Sequence, residues 1–537
     1  MDGPHQLEAV ILLLIGVLVL MAMARRLTIP YPIFLVLGGL ALSFVPRVPV
    51  VYLDPDLVFL VFLPPVLWAA AYFTSLRDFR LNLRTITLLA VGLVLATTAA
   101  VAVVARAIVP GMTWPVAFAL GAIVSPPDAV AATAIARKLR LPHRLVTVLE
   151  GESLVNDAVA LVMYRAAVVA TVTGTFVLSA TLWQFVIAAV GGVVIGLVVA
   201  AVARRALLFT DDSLAAIAIT LVAPYAAWVV AERAHVSAVL ACVAGGIYLR
   251  QGFSEIPAPV VRLQARAVWD LLLFVLNGVI FVLIGLQLDA IREAAAAGGG
   301  LGRLIVQGAL ISATAIGVRL VWVPLAVVIP RLLSPALRTR DPIPPLSHML
   351  VVAWAGMRGI VSLAAALALP LTTAAGTPFP FRNEVILFTF VVILFTLVLQ
   401  GLTLTPLIRA LRVSEDDTLE REETYAREEA ARAALARLDT LGKESWPRPE
   451  QIDRMRATYE QRLRRASPIT LGDDDASAKA QAVFRRLRHQ TLEAERQRLI
   501  ALRNQGAISD EVLHRLEQEL DMEAMRIGLG EARATAP

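Results

Sequence analysis

Long apolar runs separated by short polar connections occupy the chain up to about residue 410. A helix needs about 20 mostly apolar residues to cross a bilayer. Thirteen such runs begin near residues 7, 29, 56, 85, 115, 146, 181, 213, 236, 267, 303, 345 and 383. Beyond them, apolar and charged positions recur with the spacing of amphipathic helices. The pattern predicts an all-α membrane protein with a transmembrane domain over residues 1–412 and a cytosolic helical tail over residues 413–537.

The composition supports this division. Of the 537 residues, 58% are hydrophobic and 17% are charged, whereas soluble domains are roughly 45–50% apolar and about 25% charged. Of the 43 acidic residues, 18 lie in residues 1–412 and 25 lie in the last 125. The net charge of +6 does not indicate nucleic-acid binding, because the arginines cluster in the connections between apolar runs. The single cysteine, Cys242, excludes an intramolecular disulfide and a cysteine-based metal site.

The basic residues also predict the orientation in the membrane. Alternate connections hold 17 basic residues, whereas the opposite connections hold 6. Because basic residues concentrate on the cytoplasmic side, we expect the N-terminus outside and the tail in the cytoplasm. The first apolar run has no basic residue before it and no small-residue cleavage site, which favours a retained span over a signal peptide. In the tail, "WPRPE" and "SPITLGDDDAS" are predicted breaks between helices.

Two apolar runs are interrupted. The fifth contains the segment Pro126–Asp128, and proline removes a backbone donor and clashes with the preceding helical turn. The twelfth contains Gly356 and Gly359 on either side of Arg358. The two runs are seven spans apart, so they cross the bilayer in opposite senses. Paired interrupted helices are typical of inverted-repeat transporters, which predicts that spans one to six repeat as spans eight to thirteen, with two broken crossing helices.

The sixth run carries an unusual amount of negative charge in "LEGESLVNDAVALVMYR". At helical spacing, Glu150, Ser153 and Asp157 lie on one stripe, whereas Glu152 and Asn156 lie on another. A lone charge at the centre of a bilayer costs at least about 2.5–3.5 kcal/mol. Each buried acid therefore requires a partner, a proton or a cation.

The basic residues inside spans are too few to neutralise these acids. Arg319 and Arg358 lie within spans, whereas Asp128, Glu152 and Asp157 are the buried acids. We interpret Glu152 as a structural ion-pair partner of Arg358. Asp157 and Asp128, with backbone carbonyls freed by the broken fifth helix, provide the hard oxygen ligands that alkali cations prefer. The surplus carboxylate predicts a site that holds a small monovalent cation or a proton in turn.

Other functions fit the residues less well. A cation- or proton-coupled symporter for an organic solute is the main alternative, although it requires a larger set of polar groups inside the spans. An enzyme is not expected, because Ser153 as a nucleophile has no histidine within a span to act as its base.

"GESLVNDAVALV", "VSPPDAV" and "WAGMRGIVSLAAALALP" together resemble the monovalent cation:proton antiporter family, in particular the bacterial NhaP-like sodium/proton exchangers. The resemblance covers residues 7–410. It implies that Asp157, beside Asn156, carries the cation and the proton by alternating access. It further implies that Asp128, the carbonyl of Pro127 and the hydroxyl of Ser153 are cation ligands.

The resemblance has further implications. Glu152 and Arg358 are expected to form the family's structural ion pair, and Asn156 in place of a second aspartate implies electroneutral exchange of one cation for one proton. Sodium is the expected cation, with lithium and potassium open, and no cofactor is expected. The protein is expected to be a homodimer in the bacterial inner membrane that regulates internal pH and cation level. Relatives often carry a glutamate where this chain has Ala69, and a threonine at position 127.

Overall fold

The computed structural model describes residues 3–26, 30–45, 55–139, 141–175, 178–210, 212–253, 259–287, 301–413, 418–444 and 446–466, with separate positions between 487 and 523. The chain forms two compact units, Met1–Asp416 and Asp417–Pro537. The helices of the first unit are α1 (Gly3–Arg26), α2 (Tyr31–Ser43), α3 (Pro55–Val61), α4 (Leu63–Phe73), α5 (Leu76–Leu81), α6 (Leu83–Thr87), α7 (Val94–Ile108), α8 (Trp114–Val124), α9 (Ala129–Lys138), α10 (His143–Thr173), α11 (Leu178–Leu208), α12 (Ser213–Arg233), α13 (Ala238–Phe253), α14 (Pro259–Leu286), α15 (Leu301–Leu333), α16 (Pro335–Arg340), α17 (Leu346–Trp354), α18 (Ile360–Leu367), α19 (Arg382–Phe395) and α20 (Gly401–Ala410). Two π-helical turns, Leu88–Leu93 and Thr396–Gln400, join α6 to α7 and α19 to α20.

The secondary structure of the described residues is helical apart from an isolated bridge between Thr372 and Pro378. Helices long and apolar enough to cross a membrane are Leu83–Ile108, His143–Thr173, Leu182–Leu208, Ser213–Arg233, Val261–Leu286, Gly302–Leu333 and Arg382–Ala410. Shorter apolar helices are Leu12–Ala24, Tyr31–Ser43, Val58–Phe73, Trp114–Val124 and Ala238–Gln251. The predicted all-α membrane fold is therefore confirmed, whereas the number of thirteen spans stays a prediction.

The fifth and twelfth runs each contain two short helices. In the fifth, α8 ends at Val124 and α9 begins at Ala129, because the two intervening prolines cannot continue the helical hydrogen bonds. Asp128 caps α9, and its Oδ1 accepts a hydrogen bond from the backbone N–H of Val130 at 2.8 Å. In the twelfth, the segment between α17 and α18 contains two glycines and has no helical hydrogen bonds of its own.

Glycines allow the apolar helices to approach closely. A Cβ atom added at Gly39 of α2 would lie 2.3 Å from the carbonyl oxygen of Val282 in α14. One added at Gly196 of α11 would lie 2.1 Å from the carbonyl oxygen of Ala241 in α13. Lipid tails are as apolar as the helix surfaces, so helices in a bilayer associate through close packing at such small residues. The close backbone approaches at Gly39 and Gly196 therefore hold α2 against α14 and α11 against α13.

An ion cluster joins several helix ends in the first unit. The carboxylate of Asp341, between α16 and α17, accepts hydrogen bonds from Arg84 at 3.1 Å, Arg144 at 2.7 Å and Arg331 at 2.5 Å. Burial alone would raise the pKa of Asp341, but hydrogen bonding to Arg144 and the neighbouring guanidinium charges hold that pKa below its ordinary value. The cluster therefore links the beginnings of α6 and α10 to the end of α15.

The second unit contains an antiparallel pair of polar helices, α21 (Thr418–Leu441) and α22 (Pro449–Ala466). A salt bridge of 2.5 Å joins Nη2 of Arg456 to Oδ1 of Asp439 between them. The predicted break "WPRPE" coincides with the end of one helix and the beginning of the next. The second predicted break, "SPITLGDDDAS", lies outside the described residues. Residues 490–502 are also helical.

Candidate functional site

The two interrupted runs meet at their breaks. The backbone N–H of Asp128 donates a hydrogen bond to the carbonyl of Met357 at 2.6 Å. A Cβ atom added at Gly359 would lie 2.1 Å from Oδ2 of Asp128, so a side chain at this position cannot coexist with the carboxylate. The sequence has a glycine where the two runs approach each other, and this approach brings the Asp128 carboxylate beside the break of the twelfth run.

Two buried arginines bind the carbonyls at the ends of the first half-helices. Nε of Arg358 donates to the carbonyl of Val124, the last residue of α8, at 3.0 Å. Nε and Nη2 of Arg319 donate to the carbonyl of Val352 in the last turn of α17, at 3.3 and 3.1 Å. The C-terminal end of a helix has unsatisfied carbonyls and a negative partial charge. The two guanidinium groups donate hydrogen bonds to these carbonyls and also place positive charge beside the two helix ends, inside an apolar region.

The predicted ion pair between Glu152 and Arg358 is wrong. Both carboxylate oxygens of Glu152 accept hydrogen bonds from Arg319, from Nη1 and, at 2.8 Å, from Nη2. Glu152 and Arg319 are each 1% exposed. Arg358 instead donates to the backbone carbonyls of Val124 and Gly356, which the helix breaks leave without helical donors. The sequence placed Arg319 inside a span without giving it a partner, and the structure makes it the partner of Glu152.

The carbonyl of Pro127 lies beside the polar residues of α10. Nδ2 of Asn156 donates to this carbonyl at 3.3 Å, and Oγ of Ser153 lies 3.5 Å from it. The Asn156 side chain is fully buried, and its Oδ1 has no hydrogen-bond partner within the described part of the chain. Asn156 therefore holds the break of the fifth run against α10, one residue before Asp157.

Asp157 lines a cavity. Its side chain is 7% exposed, and within the described residues no hydrogen bond or ion pair reaches its carboxylate. The cavity has a volume of about 730 Å³, and its wall also includes Asp128, Ser153 and Pro127, whose carbonyl lies beside Asn156 and Ser153. Two carboxylates, a hydroxyl and a carbonyl thus lie around one space, which is a donor set suited to a hard monovalent cation.

Glu150 lies at the mouth of the same cavity. Its Oε1 accepts a hydrogen bond of 2.7 Å from Nη2 of Arg137, and its side chain is 20% exposed. Arg250, Arg266 and Asp270 also line this end. The one-stripe arrangement predicted for Glu150, Ser153 and Asp157 agrees with their shared position on the cavity wall.

Sequence reasoning did not identify Tyr31, Asn277 and Ser362, which also line the cavity. The hydroxyl of Ser362 is buried and has no hydrogen-bond partner among the described residues. The available signals were an isolated asparagine in the apolar run "FVLNGVIF" and a serine four positions after Arg358. Ala69 lines the cavity as well, so a glutamate at that position in relatives would face the same space.

Comparisons with known proteins agree with this geometry. The family model described as "Sodium/hydrogen exchanger, transmembrane" matches residues 10–410. A protein of Mycobacterium tuberculosis described as an uncharacterized Na(+)/H(+) exchanger is 36% identical over 527 residues, which are 97% of this chain and 96% of that protein. The protein YjcE of Escherichia coli, also described as an uncharacterized Na(+)/H(+) exchanger, is 31% identical over 517 residues, or 92% of this chain and 93% of that protein.

A solved structure shares the fold. The sodium/proton antiporter MjNhaP1 of Methanocaldococcus jannaschii has a TM-score of 0.58 at 19% identity, and the match covers 75% of this chain and 100% of that one.

Proposed function

This chain belongs to the sodium/hydrogen exchanger family, and we propose that it exchanges one monovalent cation for one proton at Asp157. Sodium is the proposed cation, with lithium and potassium as the other candidates. The observation that carries this proposal is the buried Asp157 carboxylate, which lines the cavity beside Asp128, Ser153 and the carbonyl of Pro127 and has no partner among the described residues.

Competition at one carboxylate explains coupled exchange. An ionised carboxylate without a counter-charge is costly inside a bilayer, so Asp157 changes its exposure from one side to the other only when it holds a cation or a proton. Occupancy by one excludes the other. Asn156 cannot carry a proton, and its amide binds the carbonyl of Pro127. The polar centre of α10 therefore contributes one titrating carboxylate, which supports electroneutral one-for-one exchange.

The proposed architecture is thirteen spans in two inverted repeats. Helices α8 and α9 form the fifth span and α17 and α18 the twelfth, and both spans are interrupted near the bilayer centre. The two spans are seven positions apart in the order of spans, so they cross the bilayer in opposite senses, and this and the hydrogen bond from Asp128 to Met357 support the arrangement. We also propose a homodimer in a bacterial inner membrane, as the family resemblance implies, and cross-linking in membranes tests it.

The proposed orientation has the N-terminus outside and the tail in the cytoplasm. The cavity that contains Asp157 is lined at its mouth by Arg137, Arg250 and Arg266, which lie in or beside connections that the positive-inside rule assigns to the cytoplasm. The cavity is therefore proposed to open inward in this conformation.

Proteoliposomes that contain a pH-sensitive dye provide the test. Proton movement should begin when sodium is added and should be lost in Asp157→Asn. Asp270→Asn removes a carboxylate from the mouth of the same cavity and is the matched control, which should retain exchange. Lithium and potassium additions rank the cations. Full exchange by Asp157→Asn would refute the assignment, and proton uptake driven by an organic solute in place of a cation would favour a symporter.

A further inference from the structure

Asn277 lies within the tenth apolar run, on α14, and lines the cavity that contains Asp157. Its neighbours in "FVLNGVIF" are apolar residues and a glycine. The side chain is half-buried, and within the described residues no hydrogen bond or ion pair reaches its carboxamide. A polar group without a partner is costly at membrane depth, so this carboxamide requires water or a ligand from the cavity.

The cation ligands proposed for the exchange reaction lie on one side of this cavity. Ser153 and Asp157 belong to α10. Asp128 and the carbonyl of Pro127 belong to the break of the fifth run, which the amide of Asn156 holds against α10. A cation bound to these oxygen atoms has its remaining face toward the rest of the cavity. That face requires oxygen atoms from another wall or from water, because alkali cations prefer hard oxygen ligands.

The wall formed by α14 is mainly apolar at depth. The residues of α14 that line the cavity follow helical spacing and form one stripe along the helix, namely Arg266, Asp270, Leu273, Asn277, Ile280 and Phe281. Arg266 and Asp270 lie at the mouth. Among the deeper members of this stripe, Asn277 is the polar one, and it lies between Leu273 and Ile280.

Asn277 and Asp157 lie at a comparable depth in the cavity. Glu150 on α10 and Asp270 on α14 mark its mouth, and Asp157 and Asn277 each follow seven residues later. Seven residues of an α-helix span about 10 Å. In the proposed topology α10 and α14 are the sixth and tenth spans, so they cross the membrane in the same sense. The carboxamide of Asn277 therefore lies near the level of the Asp157 carboxylate, on a different wall.

The carboxamide oxygen is a hard and uncharged ligand of the kind that monovalent cations accept. Ser362 lines the same cavity, but its side chain is 2% exposed, so a cation has less access to its hydroxyl than to the half-buried Asn277. We propose that the side-chain oxygen of Asn277 is a further ligand of the transported cation, on the face turned away from α10. This inference rests on the proposed function for the identity of the ligand.

An uncharged ligand distinguishes the cation from the proton. The carboxamide of Asn277 binds a cation but does not take up a proton in the ordinary pH range. It therefore stabilises the cation-loaded form of Asp157 and leaves the proton-loaded form unaffected. Loss of this oxygen should raise the KM for the cation and leave kcat nearly unchanged, which is the pattern for a contact that helps binding without helping the later steps.

Cation binding is measured without transport, by isothermal titration of the whole protein in detergent with sodium, lithium and potassium chloride. Asn277→Leu has nearly the same shape and no oxygen atom, and it should weaken binding of the preferred cation by about tenfold, the lower end of the range for polar contacts with a charged group. Asn277→Ala should weaken it similarly, which excludes blockage of the site by the leucine side chain. Asn277→Asp keeps an oxygen at the same position and should retain binding.

Thr314→Val is the matched control. It also removes a polar group from a span, because Thr314 lies on α15 and donates to the carbonyl of Leu310 at 2.8 Å, but it does not belong to the described lining of the cavity. This variant should bind cations as the parent protein does. Parent-like binding by Asn277→Leu and Asn277→Ala would overturn the inference. Loss of binding by Asn277→Asp as well would overturn it too, because the oxygen would then not be the group that matters.

Transport separates this inference from the proposed function. In proteoliposomes, Asn277→Leu should raise the cation KM by about tenfold and lower kcat by less than about twofold, whereas Asp157→Asn should lose exchange. An exchanging parent whose leucine variant has the same KM would refute the role of Asn277 alone. A parent that binds a cation without exchanging it would refute the proposed function and leave the binding comparison valid, and a parent that binds none of the three cations would refute both.

Discussion

The ion pair between Glu152 and Arg319 can be tested by a double-mutant cycle. Both side chains are 1% exposed, and Arg319 uses two nitrogen atoms to bind the carboxylate. Breaking a buried pair by removing one partner costs about 3–5 kcal/mol, because the other charge stays buried without compensation. We expect Glu152→Gln to lower the free energy of unfolding by about this amount. Arg319→Gln should lower it further, since it also loses the two hydrogen bonds to Val352.

The double variant removes both charges together. Its loss should therefore be smaller than the sum of the single losses by about 0.5–3 kcal/mol, the range for residues in contact. A second cycle combines Glu152→Gln with Arg358→Gln and serves as the matched control, because Arg358 is equally buried but donates to backbone carbonyls. Unfolding is followed in detergent by tryptophan fluorescence and by size-exclusion profiles after heating. A larger coupling in the Arg358 cycle would refute the pairing described here and restore the pairing predicted from the sequence.

Gly359→Ala should abolish cation-driven proton movement in proteoliposomes, because an added Cβ atom would lie 2.1 Å from Oδ2 of Asp128. Gly317→Ala, whose Cβ atom meets nothing within 4 Å, is its control, and a fully active Gly359→Ala protein would contradict the close approach. Asp341→Asn should lower the midpoint of thermal unfolding at pH 7, and the difference from the parent protein should shrink as the pH falls below about 4. The pKa of Asp341 is lowered in the folded protein, since hydrogen bonding to Arg144 and neighbouring charges outweigh the effect of burial. The stabilisation by the ionised Asp341 carboxylate is present above about pH 4 and is lost as the pH falls through its folded-state pKa. A difference in unfolding midpoint between variant and parent that does not vary with pH would contradict this reasoning.

The family and many helix boundaries were predictable because both depend on local signals. The resemblance to sodium/proton exchangers is confirmed by the family match over residues 10–410. Apolar runs predicted near residues 213, 303 and 383 correspond to helices that begin at Ser213, Leu301 and Arg382. At the first of these, the side chain of Asp212 accepts hydrogen bonds from the next turn, so a single capping residue fixes the start.

The partner of Glu152 was not predictable from such signals. Glu152 and Arg319 are 167 positions apart, and the apolar pattern places both inside spans without specifying how the spans face each other. The carbonyl of Val124 accepts the hydrogen bond from Arg358 only because α8 ends there. Charge counting identified the surplus of acids but could not assign each arginine, because the breaks add backbone acceptors that compete with carboxylates.

The hydrogen bond between Asp128 and Met357 restricts how the protein can move. Together with the bond from Arg358 to Val124, it fastens the two interrupted runs to each other. Separating them would break both hydrogen bonds, and a buried polar group left without a partner costs about 1–3 kcal/mol. The two breaks must therefore move together as one rigid unit. A change of access from one side of the membrane to the other then requires this unit to slide along neighbouring helices, such as the face of α4 that carries Ala69, while the hydrogen bonds between the breaks stay intact.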